Sequence, residues 1–287
     1  LAREIDMTWW QSIILGIVEG LTEYLPVSST GHLLLAQRAL GIASSDAADA
    51  FAICIQLGAI LAVLGLYRKR IGQIILGGLG RDPDGFRLGV NLVAAFLPAV
   101  AIGLLLNEPI KKYLFAGDQF GLWPTVLAWF VGGVAILAVG WYRKWRKQEA
   151  GGGYDMLQLT WKLALVIGIA QCIAMWPGTS RSLVTIVGGI LVGMNLRSAV
   201  EFSFLLGVIT LSAATVYDGY KFGAVMLEEF GWLNLTLGLF FSWLSAVLAV
   251  RWMVSYLNRH GLAIFGYYRI ALALVVAALI LGGVLVY

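Results

Sequence analysis

The stretch Glu19-Gly20-Leu21-Thr22-Glu23-Tyr24-Leu25-Pro26-Val27-Ser28-Ser29-Thr30-Gly31-His32 lies in an otherwise apolar run over residues 9–42, which its second half, Pro26 to His32, interrupts. Two carboxylates, a hydroxyl cluster and an imidazole stand where hydrocarbon would be expected, and Pro26 stops the helical pattern. Each half of the run is about ten to twenty residues long, whereas a helix needs about 20 residues to cross about 30 Å of hydrocarbon. The pattern reads as helix, polar loop, helix: a re-entrant hairpin whose irregular backbone must face protein or a wet cavity. A second run, 157–194, is broken in the same way by Pro177-Gly178-Thr179-Ser180-Arg181-Ser182.

Outside these two breaks, six segments are long and apolar enough to span, at about 48–67, 88–106, 121–142, 198–218, 232–254 and 264–287. The fold class expected is an all-α polytopic membrane protein with six transmembrane helices and two re-entrant hairpins. Composition agrees. The chain is 60% hydrophobic and 13% charged, against about 25% charged residues in a soluble domain. Eleven Trp and eleven Tyr suit two headgroup belts. The net charge of +4 sits in short clusters between apolar runs and reads as a topology signal, not as a nucleic-acid surface. Cys54 and Cys172 form no CxxC pair, and with His32 and His260 the only histidines a His-rich metal centre is excluded. The apolar stretch Trp9 to Val18 runs into Glu19 and Glu23 instead of a small-residue cleavage site, so no cleavable signal peptide is expected.

Charge sets direction. Arg68-Lys69-Arg70 follows the first span, and Arg143, Lys144, Arg146 and Lys147 follow the third. The positive-inside rule puts both clusters in the cytoplasm, and Arg197 and Arg251 agree. The hairpin at 9–42 then dips in from outside, the hairpin at 157–194 from the cytoplasm, and both termini lie outside. Lys111 and Lys112 are a mild exception, offset by Glu108 and Asp118. Gly16-Ile17-Val18-Glu19 resembles Gly168-Ile169-Ala170-Gln171, each followed closely by Pro and a Ser/Thr cluster, and Phe51 matches Phe202. The chain therefore reads as two repeats in one membrane domain, residues 1–150 and 151–287, each a hairpin followed by three spans. Three is odd, so the second repeat inserts upside down. Two such hairpins can meet near the midplane, where inverted-repeat membrane proteins place their sites.

The candidate chemistry lies in the breaks. Glu19 and Glu23 share one helix face. Each would cost about 2.5–3.5 kcal/mol at the centre of a lipid-exposed helix, and they repel one another. A divalent cation or a cationic group between them would compensate, while an interfacial helix with a wet acidic face would remove the need. Ser28, Ser29 and Thr30 can bond phosphate oxygens or supply a nucleophile, with His32 close by to take the proton. They can equally cap a helix, whose N-terminus is itself an anion site. Thr179, Ser180, Arg181 and Ser182 form the second polar loop. A guanidinium there would pair a phosphate bidentately or form an ion pair with Glu19 or Glu23. Two carboxylates, a Ser/His pair and an Arg amount to a kit for metal-assisted phosphoryl transfer. Gln56, Asn91, Gln171 and Glu201 read as interhelical glue. Gly77-Gly78 and Gly151-Gly152-Gly153 read as turns or linkers without a P-loop lysine.

At these two loops the chain resembles the undecaprenyl-diphosphate phosphatase family of the bacitracin-resistance type. The likeness is carried by Glu19 to His32, by Gln171-Cys172-Ile173-Ala174-Met175-Trp176-Pro177-Gly178-Thr179-Ser180-Arg181-Ser182, by Ile55-Gln56-Leu57-Gly58 and by Glu201-Phe202-Ser203-Phe204. The first motif is highly specific, and the likeness covers nearly the whole chain. It implies a bacterial inner-membrane enzyme that hydrolyses undecaprenyl diphosphate to the monophosphate and recycles the carrier for cell-wall synthesis. It implies Glu19 and Glu23 as ligands of a divalent cation (Mg2+ or Ca2+) or as proton handlers, Ser29 as nucleophile beside His32, and Arg181 on the diphosphate. Thr30, Ser180 and Ser182 would assist Arg181, and Ser28, Thr179 and Gln56 are further substrate contacts. The site would open to the extracytoplasmic side. The partners implied are the lipid substrate and membrane lipids, with a homodimer allowed and no nucleic acid. One departure stands out: the family commonly has an acidic residue after the Phe at position 51, where this chain has Ala52, with Asp49 nearby.

Two other functions fit parts of the pattern. Broken helices in inverted repeats are transporter architecture, so a flippase of anionic isoprenoid lipids is one alternative. Thr30-Gly31-His32 loosely matches the Ser-Gly-His of phosphatidic-acid-phosphatase-type enzymes, but that class needs a second catalytic His, and His260 lies in a loop far along the chain.

Overall fold

The computed structural model describes residues 7–43, 45–110, 121–145 and 152–285. Ten α-helices are described among them: α1 (Trp9–Thr22), α2 (Ser29–Ala39), α3 (Asp46–Leu66), α4 (Arg68–Gly78), α5 (Pro83–Ile110), α6 (Trp123–Trp145), α7 (Trp161–Gln171), α8 (Arg181–Leu191), α9 (Leu196–His260) and α10 (Ala263–Leu281). The described residues contain one isolated bridge, between Tyr154 and Met194. Five helices, α3, α5, α6, α9 and α10, are long and apolar enough to cross a membrane. The longest, α9, has 65 residues and carries non-helical dihedrals at Gly231 (φ 73°, ψ 165°), so it is two rods joined at a kink. A straight helix of that length would run about 98 Å, some three bilayer cores. The six spans read from the sequence are thus accounted for. Lys111, Lys112, Asp118, Arg146, Lys147 and Gly151 lie outside the described residues.

Local chemistry sets the ends of these helices. Thr8 caps α1 in a reciprocal box with Gln11, whose side-chain oxygen accepts from the Thr8 backbone N–H at 2.7 Å. Ser45 caps α3 by accepting from the Ala48 N–H at 3.1 Å, and Asp46 and Asp49 favour the positive end of its dipole. Asn195 caps α9 through the Ser198 N–H at 2.8 Å. Gly261, at φ 72°, ends it.

Both broken regions form hairpins, with boundaries displaced from those expected. The first break covers Glu23 to Ser28, and Ser29 to His32 form the first turn of α2 instead of a loop. The second runs from a 3-10 turn at Cys172–Met175 to Ser180, and Arg181 and Ser182 open α8. Ser and Thr favour helix starts, which explains both shifts. Ser28, at φ 77°, is the one non-glycine residue described with positive φ. The ends of each hairpin close on each other. Gln11 donates to the Leu40 carbonyl at 3.0 Å in the first, and the Tyr154 N–H donates to Gly193 O at 3.0 Å in the second. At 14, 11, 11 and 11 residues, α1, α2, α7 and α8 are each too short to span.

Two further differences concern connections. Residues 219–230, expected as a link between spans, continue α9. They hold no Pro and are rich in good helix formers. Gly77-Gly78, expected as a turn, ends α4, a helix not foreseen. A Cβ on Gly77 would lie 2.1 Å from the Phe86 nitrogen, so the glycine admits the start of α5.

The described chain falls into two compact units. One comprises Leu1–Leu25, Ser29–Arg68 and Gly207–Trp252. Its core gathers Leu15, Leu33, Phe51, Ile55, Met226 and Phe230. The Phe51 and Phe230 rings meet edge to face at 5.8 Å. Ala52 packs against this cluster. Small residues let backbones close up, as membrane helices require without a hydrophobic force between them. A Cβ on Gly16 would lie 2.4 Å from Gly238 O, and one on Gly20 2.1 Å from Ser242 O.

The second unit comprises Pro26–Ser28, Lys69–Leu206 and Met253–Tyr287. Here α6 packs on α10, and α7 on both α5 and α8. Gly168 of α7 sits where a Cβ would come within 2.3 Å of Ala95 O. Asn91 donates to Leu159 O at 2.7 Å, and Arg70 pairs with Glu201 at 2.8 Å, so both serve as the interhelical glue expected of them.

Candidate active site

In the first unit, Glu19 and Glu23 occupy the C-terminal end of α1, one turn apart, with the Glu23 N–H donating to Glu19 O at 2.9 Å. Both side chains are buried, at 0% and 7% exposure. The Ser29 hydroxyl donates to Oε2 of Glu23 in a buried hydrogen bond. A carboxylate accepting the proton of a serine hydroxyl is the arrangement of a general base and its nucleophile. His32, one turn into α2, is half-buried, Thr30 is exposed, and Gln56 is half-buried on α3.

The helix starting at Ser29 leaves its first backbone N–H groups without intrahelical partners, and its dipole favours an anion there. The carboxylate pair has the opposite need. Two carboxylates with a substrate phosphate to complete the shell suit a hard divalent cation such as Mg2+. Among the described residues no three His, Cys, Asp or Glu side chains gather into a larger metal cluster. The donor set therefore fits an ion shared with an anionic ligand better than a dedicated all-protein site.

In the second unit, Ser180 caps α8, accepting from the Leu183 N–H at 3.2 Å, and its hydroxyl lies 2.8 Å from that of Ser182. Arg181, half-buried, donates through Nη1 to the Ser203 carbonyl at 3.0 Å. Thr185 donates to the Arg181 carbonyl at 2.9 Å and shares a 2.6 Å bond with the Ser203 hydroxyl. Side chain and backbone of Arg181 are thus both tied to α8 and α9. Thr179 is half-buried, its N–H donating to Trp176 O at 3.0 Å. Gly178 has φ 83°, and a Cβ there would lie 2.7 Å from the Thr125 Cα, so no other residue fits.

Ser28 belongs to this unit with Pro26 and Val27. The unit also holds Arg269 of α10, which sequence reasoning passed over. It is wholly buried and donates to four carbonyls: Ala128 at 2.8 Å, Gly178 at 3.1 Å, Pro26 at 3.3 Å and Trp129 at 3.4 Å. Thr185 and Ser203 were also missed as individuals. The signal for Arg269 was a lone charge inside an apolar 24-residue run, 264–287. His260 stacks on Tyr256 at 4.6 Å at the exposed end of α9, as a solvated residue would.

The match to known proteins is extensive. Residues 12–275 match the family model described as bacitracin resistance protein BacA. The chain belongs to the bacitracin resistance protein family. Among curated relatives, it is 46% identical over 271 residues to the undecaprenyl-diphosphatase of Sorangium cellulosum, covering 94% of this chain and 86% of that one. It is 44% identical over 268 residues to undecaprenyl-diphosphatase 2 of Rhodospirillum rubrum, covering 93% of each. With the undecaprenyl-diphosphatase of Aquifex aeolicus it shares 41% identity over 275 residues, 96% of this chain and all of that one. The bacitracin resistance family thus holds this chain along nearly its full length, through both hairpins.

Proposed function

We propose that this chain is a multi-pass membrane phosphatase that hydrolyses undecaprenyl diphosphate to undecaprenyl phosphate and inorganic phosphate, recycling the lipid carrier and conferring bacitracin resistance. The reading is supported by family membership and by the names of relatives aligned over more than nine-tenths of the chain. The observation that carries it is the buried Ser29–Glu23 hydrogen bond, an activated hydroxyl at a helix N-terminus.

The course proposed is as follows. Arg181, held by Ser203 and Thr185, pairs with phosphate oxygens of the headgroup. Ser180, Ser182, Thr179, Thr30, Ser28 and Gln56 supply further polar contacts. Ser29 Oγ attacks the terminal phosphorus, its proton passes to Glu23, and the bond from that phosphorus to the bridging oxygen breaks. The isoprenyl monophosphate leaves, and water then frees phosphate from Ser29. The sequence alone offered His32 for the proton; the hydroxyl's contact with Glu23 favours the carboxylate for this step, with His32 one turn along α2. Glu19 and the second oxygen of Glu23 would hold a divalent cation, Mg2+ or Ca2+, which when bound neutralises charge on the diphosphate.

The rest of this reading concerns placement. The chain lies in the bacterial inner membrane, the two halves insert with opposite topology, and the site opens to the extracytoplasmic face, in keeping with the positive clusters after the first and third spans. A homodimer is compatible with it. The test is phosphate release by purified protein in detergent from a long-chain isoprenyl diphosphate, with and without chelator. Steady release that a Ser29→Ala variant loses is the expected result. Lipid movement across vesicles without phosphate release would replace this reading with a flippase.

A further inference from the structure

Arg269 is 0% exposed, and all its bonds among the described residues run to backbone carbonyls. Burying a guanidinium costs several kcal/mol unless its donors are met, and inside a membrane such a residue is a functional candidate by default. Four of its five N–H groups can be satisfied by these carbonyls. Glycine makes the space: a Cβ on Gly132 would lie 2.4 Å from Nη2. Two of the four acceptors, Ala128 and Trp129, are neighbours on α6, which anchors the side chain. The other two belong to the two polar turns. Pro26 lies two residues before Ser28, whose φ of 77° is costly for a residue with a side chain. Ser29 follows Ser28 in the chain. Gly178, also left-handed, lies three residues before Arg181. One planar donor fork thus holds the carbonyls of both hairpin turns at a fixed separation.

We propose that Arg269 is a positioning residue that locks the Pro26–Ser28 turn to the Gly178 turn that leads into Arg181, and so fixes backbone on which the attack geometry depends. This rests on the hydrolase reading above. Arg269 itself touches neither substrate nor reacting atoms. Its action is through the backbone, and its loss should leave headgroup binding in place while spoiling attack geometry. Displacement of reacting groups by about 1 Å costs about 100-fold in rate.

The experiment compares wild type, Arg269→Met and Arg269→Lys as monodisperse full-length protein in detergent. Each is titrated with a labelled isoprenyl methylenediphosphonate, which cannot be hydrolysed, to count binding sites per chain and measure Kd. Phosphate release from the isoprenyl diphosphate is then expressed per counted site. The expected result is that Arg269→Met keeps its sites with Kd within about threefold of wild type, while turnover per site falls about 100-fold. Arg269→Lys, which can still donate to carbonyls, should regain about ten-fold of that loss. A merely structural role predicts that turnover falls only in proportion to the number of sites, and this outcome overturns the proposal. Should Arg269→Met yield no folded protein, Arg269→Lys decides: reduced turnover per site supports the proposal, and wild-type turnover per site overturns it. Absence of phosphate release from wild type overturns the hydrolase reading and this inference with it. Wild-type release with Arg269→Met unimpaired per site overturns this inference alone.

Discussion

The Ser29 hydroxyl donates to the Glu23 carboxylate across the six-residue break between α1 and α2. Neither residue could be paired with the other from spacing alone, since the intervening backbone leaves the helical path. The pairing predicts that Glu23→Gln, which keeps shape but cannot take a proton, slows phosphate release by about 10²–10⁴-fold. Ser29→Ala should be at least as damaging. Both proteins should elute as wild type does in size-exclusion chromatography. Wild-type rates in either would remove this pair from the chemistry.

Arg181 offers a second test. Its guanidinium is oriented by the Ser203 carbonyl, and its own carbonyl by Thr185. Replacement by Lys keeps the charge and loses the fork, so KM for the diphosphate should rise well above the wild-type value while the fold persists. Thr185→Val removes a buried hydroxyl that bonds both Arg181 and Ser203. It should lower stability by about 1–3 kcal/mol, because partners are left unmet. Steady-state kinetics and thermal unfolding in the same detergent check both.

Close helix packing gives a prediction about stability alone. A Cβ at Gly20 would sit 2.1 Å from both the Ser242 carbonyl oxygen and the Ser245 hydroxyl. Gly20→Ala should therefore force the backbones apart and cost about 1–3 kcal/mol. Larger residues at this position should prevent accumulation in the membrane. Cys54 and Cys172 are free and half-buried, so a thiol-reactive dye can report the melting temperature of the variants. Gly140, around which a Cβ would meet open space, is the control, and Gly140→Ala should melt as wild type does.

The carboxylate pair makes a prediction about ions. If Glu19 and Glu23 hold a divalent cation with the substrate, a chelator should stop phosphate release, and added Mg2+ or Ca2+ should restore it. Glu19→Gln should raise the concentration of ion needed for half-maximal rate. Activity that persists after exhaustive chelation would assign the two carboxylates to proton handling alone.

Much of the molecule was legible before folding because a membrane protein writes its spans in hydropathy and its breaks in polar residues. The six spans and both hairpins follow from length against bilayer thickness. Glu19, Glu23, Ser29 and Arg181 stood out because charge and hydroxyl clusters are out of place in apolar runs. Arg269 was equally out of place and was missed, because its partners are carbonyls of Pro26, Ala128, Trp129 and Gly178, and backbone carbonyls leave no mark in a sequence. Thr185 and Ser203 escaped for a related reason. A single hydroxyl in a helix usually satisfies itself on the preceding turn, as Thr185 does on the Arg181 carbonyl, and Ser203 meets the guanidinium through a backbone carbonyl. The helix boundaries moved because Ser28 takes a left-handed turn, which releases Ser29 to begin α2 one turn earlier than Pro26 suggested.

The shortness of α1, α2, α7 and α8 has a consequence for how the chain is made. An insertion channel that sorts segments by whether they are long and greasy enough to stay in lipid has no reason to retain a helix of 11 to 14 residues, least of all α1 with Glu19 or α8 with Arg181. The full-length spans must be laid down first, by their own hydrophobicity, and they create the protein-lined shelter in which a half-length helix becomes tolerable. The parts of this chain that carry the chemistry are then the last to settle, and a variant that weakens the surrounding spans would lose its activity before it lost its topology.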